Sequence, residues 1–131
     1  MKQATQIAIF LKNEPGVLFS ICSALADKKI NIHGMSVVDT IDHAVLRLVV
    51  SKPRAAAHLL EDRGMLVIES EVLQLSLPNR PGTLARVARK LARAKVNIDY
   101  AYAAGGTGVS RSTVFLKVSD TRKALRALKR K

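Results

Sequence analysis

The sequence predicts an α+β chain of two tandem β-α-β-β-α-β repeats, with antiparallel sheets and the helices on one face. Three observations predict it. The phrase Asn13-Glu14-Pro15-Gly16-Val17-Leu18 returns 66 residues later as Asn79-Arg80-Pro81-Gly82-Thr83-Leu84. Each copy stands between an alternating apolar run and a run with helical spacing. Ile30-Asn31-Ile32 returns at the same offset as Val96-Asn97-Ile98. Copies in register mean two copies of one structural unit.

The elements follow in order. Ile7, Ile9 and Leu11 alternate with Ala8 and Phe10, the pattern of a half-buried strand. After the Pro-Gly turn, Val17, Leu18, Ile21, Cys22 and Leu25 recur at three and four residues, which buries one face of a helix ending near Asp27. Ile30 opens a second strand running to about Asp39, Thr40-Ile41-Asp42 turns, and Ala44 to Val50 is a third strand. Arg54 to Arg63 is helical, with Gly64 as its stop. Met65 to Ile68 is a fourth strand, which completes the ferredoxin-like order. In the second half, Leu73, Leu75 and Leu77 form the first strand, and Leu84, Val87, Ala88, Leu91 and Ala92 the helix face. Val114, Leu116 and Val118 match Leu46, Leu48 and Val50, and Arg122 to Leu128 match the second helix. Lys129-Arg130-Lys131 supplies no apolar strand, so the second repeat is expected to lack its final one. No Gly-, Pro- or Ser-rich linker separates the halves. The expected division is 1–70 and 71–131, joined through Glu69-Ser70-Glu71.

Composition sets limits on function. Hydrophobic residues make up 48% of the chain, which suits a packed protein and not a disordered one. Membrane spans need ~18 consecutive apolar residues, and no run reaches that length. Met1-Lys2-Gln3-Ala4-Thr5 lacks the apolar core of a signal peptide. Cys22 is the single cysteine, so the chain has no internal disulfide framework and fits a reducing, cytoplasmic compartment. The net charge of +12 is uneven: residues 1–70 carry +1 and residues 71–131 carry +11.

The pattern Asn-x-Pro-Gly-x-Leu, a helix, and then a hydrophobic-Asn-Ile strand opening resembles the ACT domain, and the resemblance spans nearly the whole chain as a tandem pair. It implies a regulatory module that binds an amino acid or similar metabolite between paired domains, and a homodimer, since such sites commonly lie between protomers. ACT domains are usually fused to metabolic enzymes. This chain carries none within its 131 residues, so the resemblance implies a binding or regulatory protein that acts by allosteric regulation on an enzyme or another protein.

The chemistry of the motif agrees with that implication. Gly16 and Gly82 lack a Cβ, so backbone can approach a ligand closely. Pro15 and Pro81 preset φ for a helix start. The N–H groups of Gly16, Val17 and Leu18, and of Gly82, Thr83 and Leu84, are then placed to receive a carboxylate. Asn31 and Asn97, beside Ile32 and Ile98, each offer a donor and an acceptor. That they face the ligand from the adjoining domain is what the resemblance implies. In a purely structural reading, Pro-Gly is ordinary turn chemistry and Asn13 and Asn79 cap the helices.

Other residues point away from catalysis. Cys22 reads as a small core residue. His33, His43 and His58 have no metal-ligand spacing, and no nucleophile–base pair is evident, so no enzyme, metal or cofactor is expected. Asp39 and Asp42 flank a hairpin, and Gly105-Gly106-Thr107-Gly108 reads as another and not as a phosphate loop. Tyr100 and Tyr102 share one sheet face, for a pocket, core or interface. Arg86, Arg89, Lys90 and Arg93 form one stripe, and Arg122, Lys123, Arg126, Lys129 and Arg130 decorate the last helix. The alternative function is therefore a basic adaptor for nucleic acid or an acidic protein, against which stands an aromatic content of only 4%. A third reading is a structural subunit whose sites have decayed. Without a fourth strand, Leu73 to Leu77 would present an open edge, a second reason to expect a partner chain.

Overall fold

The computed structural model describes residues 1–41 and 43–129, so the turn at Asp42 and the basic end at Arg130-Lys131 expected from the sequence lie outside the described residues. Six strands and four helices follow one another: β1 (Lys2–Leu11), α1 (Val17–Asp27), β2 (Ile32–Asp39), β3 (Ala44–Val50), α2 (Pro53–Asp62), β4 (Leu66–Pro78), α3 (Thr83–Arg93), β5 (Ile98–Ala104), β6 (Arg111–Val118) and α4 (Thr121–Lys129). The chain divides into two compact units. One is Thr5–Ser70; the other is Glu71–Lys131 together with Met1–Ala4.

In the first unit the strand order is β2-β3-β1-β4. Antiparallel register places Ile7 opposite Leu48 and Ile9 opposite Leu46. These four face α1 and α2, where Ile21, Leu25, Ala56 and Leu60 complete a core with almost no exposed surface. The other face of β1 carries Gln6, a buried amide whose Nε2 donates to Ser70 Oγ at 3.3 Å.

In the second unit the order is β1-β4-β6-β5. Leu73 pairs with Leu116 and Leu75 with Val114. Val87 and Leu91 of α3 and Ala124 of α4 cover them. The Tyr100–Tyr102 face is the opposite one: Tyr102 stacks on the buried Phe115 with ring centroids 5.1 Å apart, a packing role.

β4 is a single strand of 13 residues, where sequence periodicity predicts two. Nothing in Glu69-Ser70-Glu71-Val72 breaks an extended backbone, so the fourth strand of one repeat runs on as the first strand of the next. β1 likewise begins five residues before its apolar alternation does. Its opening residues belong to the second unit and lie on the β4 side of it. The place of the missing final strand is thus taken by the start of the same chain. The open edge expected at Leu73–Leu77 is covered without a second protomer, and with it goes the edge argument for a dimer.

Three helices end on a left-handed residue that lets two amides return to the last turn. After α2 it is Gly64, with φ +84°; after α1 and α3 it is Lys29 and Lys95, each with φ 59°. The Ile30 amide reaches the Leu25 carbonyl and the Val96 amide the Leu91 carbonyl, both at 2.9 Å, the Schellman arrangement. A lysine is strained there and a glycine is not. Lys29→Gly and Lys95→Gly are each expected to raise stability by about 0.5–1 kcal/mol in urea unfolding, strain relief being partly offset by unfolded-state entropy.

The covering of β4 has its own expected outcome. In hydrogen exchange at a concentration where the chain is monomeric, amides from Leu73 to Leu77 remain protected, and removal of residues 1–4 releases alternate ones among them.

Candidate functional site

The repeated phrase builds the same turn twice. The Val17 amide donates to the Glu14 carbonyl at 3.3 Å, and the Thr83 amide to the Arg80 carbonyl at the same distance. Gly16 has φ 90° and ψ −15°, and Gly82 φ 88° and ψ −12°. Proline followed by such a glycine, closed by that bond, is a type II turn. Pro15 and Pro81 therefore sit at the second position of a turn, before the helix and not at its first residue. The glycines are required by their positive φ, since a Cβ at either position meets nothing within 4 Å.

Neither helix has a side-chain cap. Asn13 instead donates its Nδ2 to Asp39 Oδ1 at 3.1 Å, at the end of β2. Asn79 does the corresponding thing in the second unit, donating to the Val109 carbonyl at 2.9 Å and the Gly106 carbonyl at 3.3 Å. Each asparagine ties its turn to the neighbouring hairpin, and the caps read from sequence are absent. The Gly105–Gly108 segment is that hairpin's loop.

The uncapped ends leave donors. The Ser20 amide bonds Gly16 O at 2.9 Å and the Arg86 amide bonds Gly82 O at 3.1 Å, so the helical ladder begins there. With the Val17 and Thr83 amides closing the turns, the amides at these two helix ends left without an acceptor are those of Gly16, Leu18 and Phe19, and of Gly82, Leu84 and Ala85. They gather at the positive end of the helix dipole, which favours an anion. Phe19 and Ala85 escaped the sequence reading because only the turn bond shows which amides are consumed.

A cavity of about 60 Å³ lies beside the first turn, lined by Leu11, Asn13, Glu14, Val17, Leu18, Val37 and Leu46. It is too small for a whole amino acid, and its rim is apolar and open. Leu18 is 40% exposed, Val37 46% and Phe19 75%. Met35 and Val37 of β2 correspond to Ala101 and Ala103 of β5, so the first repeat carries the more apolar edge.

Asn31 and Asn97 are not at these turns. Asn31 stands at the start of β2, where its amide donates to Ser51 Oγ at 2.9 Å. Asp39, tied to Asn13, is at the other end of β2, roughly 25 Å away at ~3.3 Å per strand residue. Asn97 is placed alike before β5: its amide meets Ser119 Oγ and its Nδ2 meets Asp99 Oδ1, both at 2.9 Å. Ile32 and Ile98 follow them, half-buried against their own cores. No single unit brings its asparagine to its own turn.

Cys22 is half-buried on α1, and His33, His43 and His58 are exposed. Among the described residues no group of His, Cys, Asp and Glu is arranged to hold a metal. Nor, among the described residues, is any helix long and apolar enough to cross a membrane. The basic stripe of α3 is split: Arg89 and Arg93 are exposed and line no cleft, whereas Arg86, also exposed, and the half-buried Lys90 line one against the sheet.

A family model described as an ACT domain pair matches residues 2–127. Among solved structures, protein BT0572 from Bacteroides thetaiotaomicron is 32% identical, with a TM-score of 0.90 over 97% of this chain and 87% of that one. The ligand-free regulatory subunit of aspartate kinase from Thermus thermophilus is 18% identical, with a TM-score of 0.73 over 98% of this chain and 96% of that one. Its counterpart from Thermus flavus is also 18% identical, with a TM-score of 0.64 over 98% and 92% of the two chains. At that identity the two subunits share a fold with this chain. A search of curated proteins gave no match.

Because both glycines are held at positive φ, Gly16→Ala and Gly82→Ala are each expected to cost about 1 kcal/mol in urea unfolding. A loss of that size at both positions marks the turns as equivalent; no loss at either would mean that the turn relaxes.

Proposed function

The chain belongs to the ACT domain-pair family, and on that premise we propose that it is a non-catalytic regulatory protein that senses an amino acid. The observation that carries this reading is the set of unpartnered amides at Gly16, Leu18 and Phe19, ending a helix with no cap. An amino acid has a carboxylate for those donors. Its ammonium group needs an acceptor and its side chain needs cover. In this reading the Asn31 or Asn97 side chain of a second ACT domain supplies the acceptor, because within one unit each lies at the wrong end of its strand. Leu18 and Val37 supply apolar cover.

The first repeat is the better site, with both the cavity and the apolar edge. That edge also supports a homodimer: Met35, Val37, Leu18 and Phe19 expose apolar surface beside the turn, and a second chain there would bury it and complete the ligand shell. The protein would then report occupancy to a metabolic enzyme, with the ligand favouring one of two assembly states by its difference in affinity.

The test is a thermal-shift screen of the twenty amino acids, followed by calorimetry. One small amino acid is expected to raise the melting temperature, since a ligand that binds only the folded state stabilises it. Asn31→Ala is expected to weaken that binding by about 1–3 kcal/mol, the cost of a buried polar group left unpaired. Light scattering at micromolar concentration is expected to give twice the chain mass of 14.3 kDa. Silence from all twenty at millimolar concentration would leave a structural subunit as the better reading.

A further inference from the structure

The second unit holds a cleft that shares only Thr83 with the repeated phrase. It has a volume of about 340 Å³ and is walled by Leu75 and Leu77 of β4, Val87 of α3 and Leu128 of α4, with Met1 at one side. It borders the Pro-Gly turn at Pro78 and Thr83 and opens away from it. Asn79 turns toward the β5–β6 hairpin, whereas the cleft opens on the side of β4 that carries α4 and the start of β1. Ligand pockets for small molecules run from ~300 to 1,000 Å³, so this one suits a small occupant.

Three polar side chains line it from one helix. Thr83, Arg86 and Lys90 stand on one face of α3, with Val87 between them. Thr83 is only 7% exposed, and its Oγ1 is the one buried side-chain polar atom without a partner among the described residues. In the first unit the corresponding residue is Val17, which packs on the core as an apolar side chain should. Threonine has nearly the shape of valine, so packing does not account for the exchange, and an orphan hydroxyl costs stability. A helical threonine populates two rotamers about Cα–Cβ, so its Oγ1 can point in either of two directions. The hydroxyl can thus turn to the cleft when something there accepts its proton.

We infer that this cleft binds a small carboxylic acid with a medium-length apolar tail and no ammonium group. The tail lies on Leu75, Leu77, Val87 and Leu128. The carboxylate takes the Thr83 hydroxyl and the Arg86 guanidinium, in the positive field of Lys90 and the α3 N-terminus. None of the lining residues is Asp or Glu, so an ammonium group finds no ionic partner there. That distinguishes the cleft's ligand from the amino acid of the turn and makes this site independent of the sensor reading.

Calorimetry on the full chain tests it, with octanoate as the probe and octylamine, acetate and leucine as comparisons. Octanoate is expected to bind at sub-millimolar concentration, and each of the other three at least tenfold more weakly. Thr83→Val is expected to melt at or above the parent temperature while weakening octanoate at least fivefold, a pairing that a merely structural threonine would not give. Arg86→Gln is expected to weaken it at least tenfold. Octylamine binding as well as octanoate would show an unspecific apolar surface and overturn the inference. So would unchanged octanoate affinity in both variants, or no heat with octanoate at millimolar concentration.

Discussion

Each unit depends on covering the outer edge of its own first strand. A split β-α-β unit puts that strand in the middle of its sheet, so a missing neighbour leaves a row of backbone groups open. In the first unit β1 is the first strand, and the opening half of β4 covers it. In the second unit the closing half of β4 is the first strand, and the opening residues of β1 cover it. The same two strands serve twice with roles exchanged. This is why β4 must run unbroken for 13 residues and why β1 must start at Lys2. Units of some 65 residues have little core to spare, and an uncovered central strand would be costly in either.

The two repeats keep one backbone and diverge in what they display. Both turns have the same bond and nearly the same glycine φ, so the donor sets are matched. Around the first turn the chain places Leu18, Phe19, Met35 and Val37, apolar and exposed. Around the second it places alanines on the strand edge and arginines on the helices. The exchange of Val17 for Thr83 belongs to the same divergence, since it converts a packed wall into one with an unpaired hydroxyl. The +11 charge of residues 71–131 follows the same line: part of it faces solvent, and Arg86 and Lys90 part from it to line a cleft.

The fold was legible because its signals are side-chain signals. Ile7, Ile9, Leu46 and Leu48, and their partners in the second half, alternate as strand residues facing a core must. What escaped were backbone facts. Lys2 to Thr5 form strand through their main chain, so no apolar alternation marks them. The type II turn was hidden because Pro-Gly before a helix fits two geometries, and only the bond from Val17 to Glu14 decides between them. Lys29 and Lys95 take left-handed conformations that sequence assigns to glycine or asparagine. Thr83 was counted for its amide, whereas its hydroxyl is the unusual group, and burial alone reveals that.

The asparagines of the two motifs stand at opposite ends of their units. Asn79 donates twice from its Nδ2 to its hairpin, and Asn13 gives one of its two Nδ2 protons to Asp39. Asn31 and Asn97 have backbone bonds to Ser51 and Ser119 that fix where their strands begin. The Asn31 side chain is exposed, and the Asn97 amide is partly held by Asp99. An asparagine at the far end of a strand completes nothing nearby. In the sensor proposed above, each half-site would gain function only when the other end of a second domain is brought to it, so sensitivity to ligand and sensitivity to assembly would be one property.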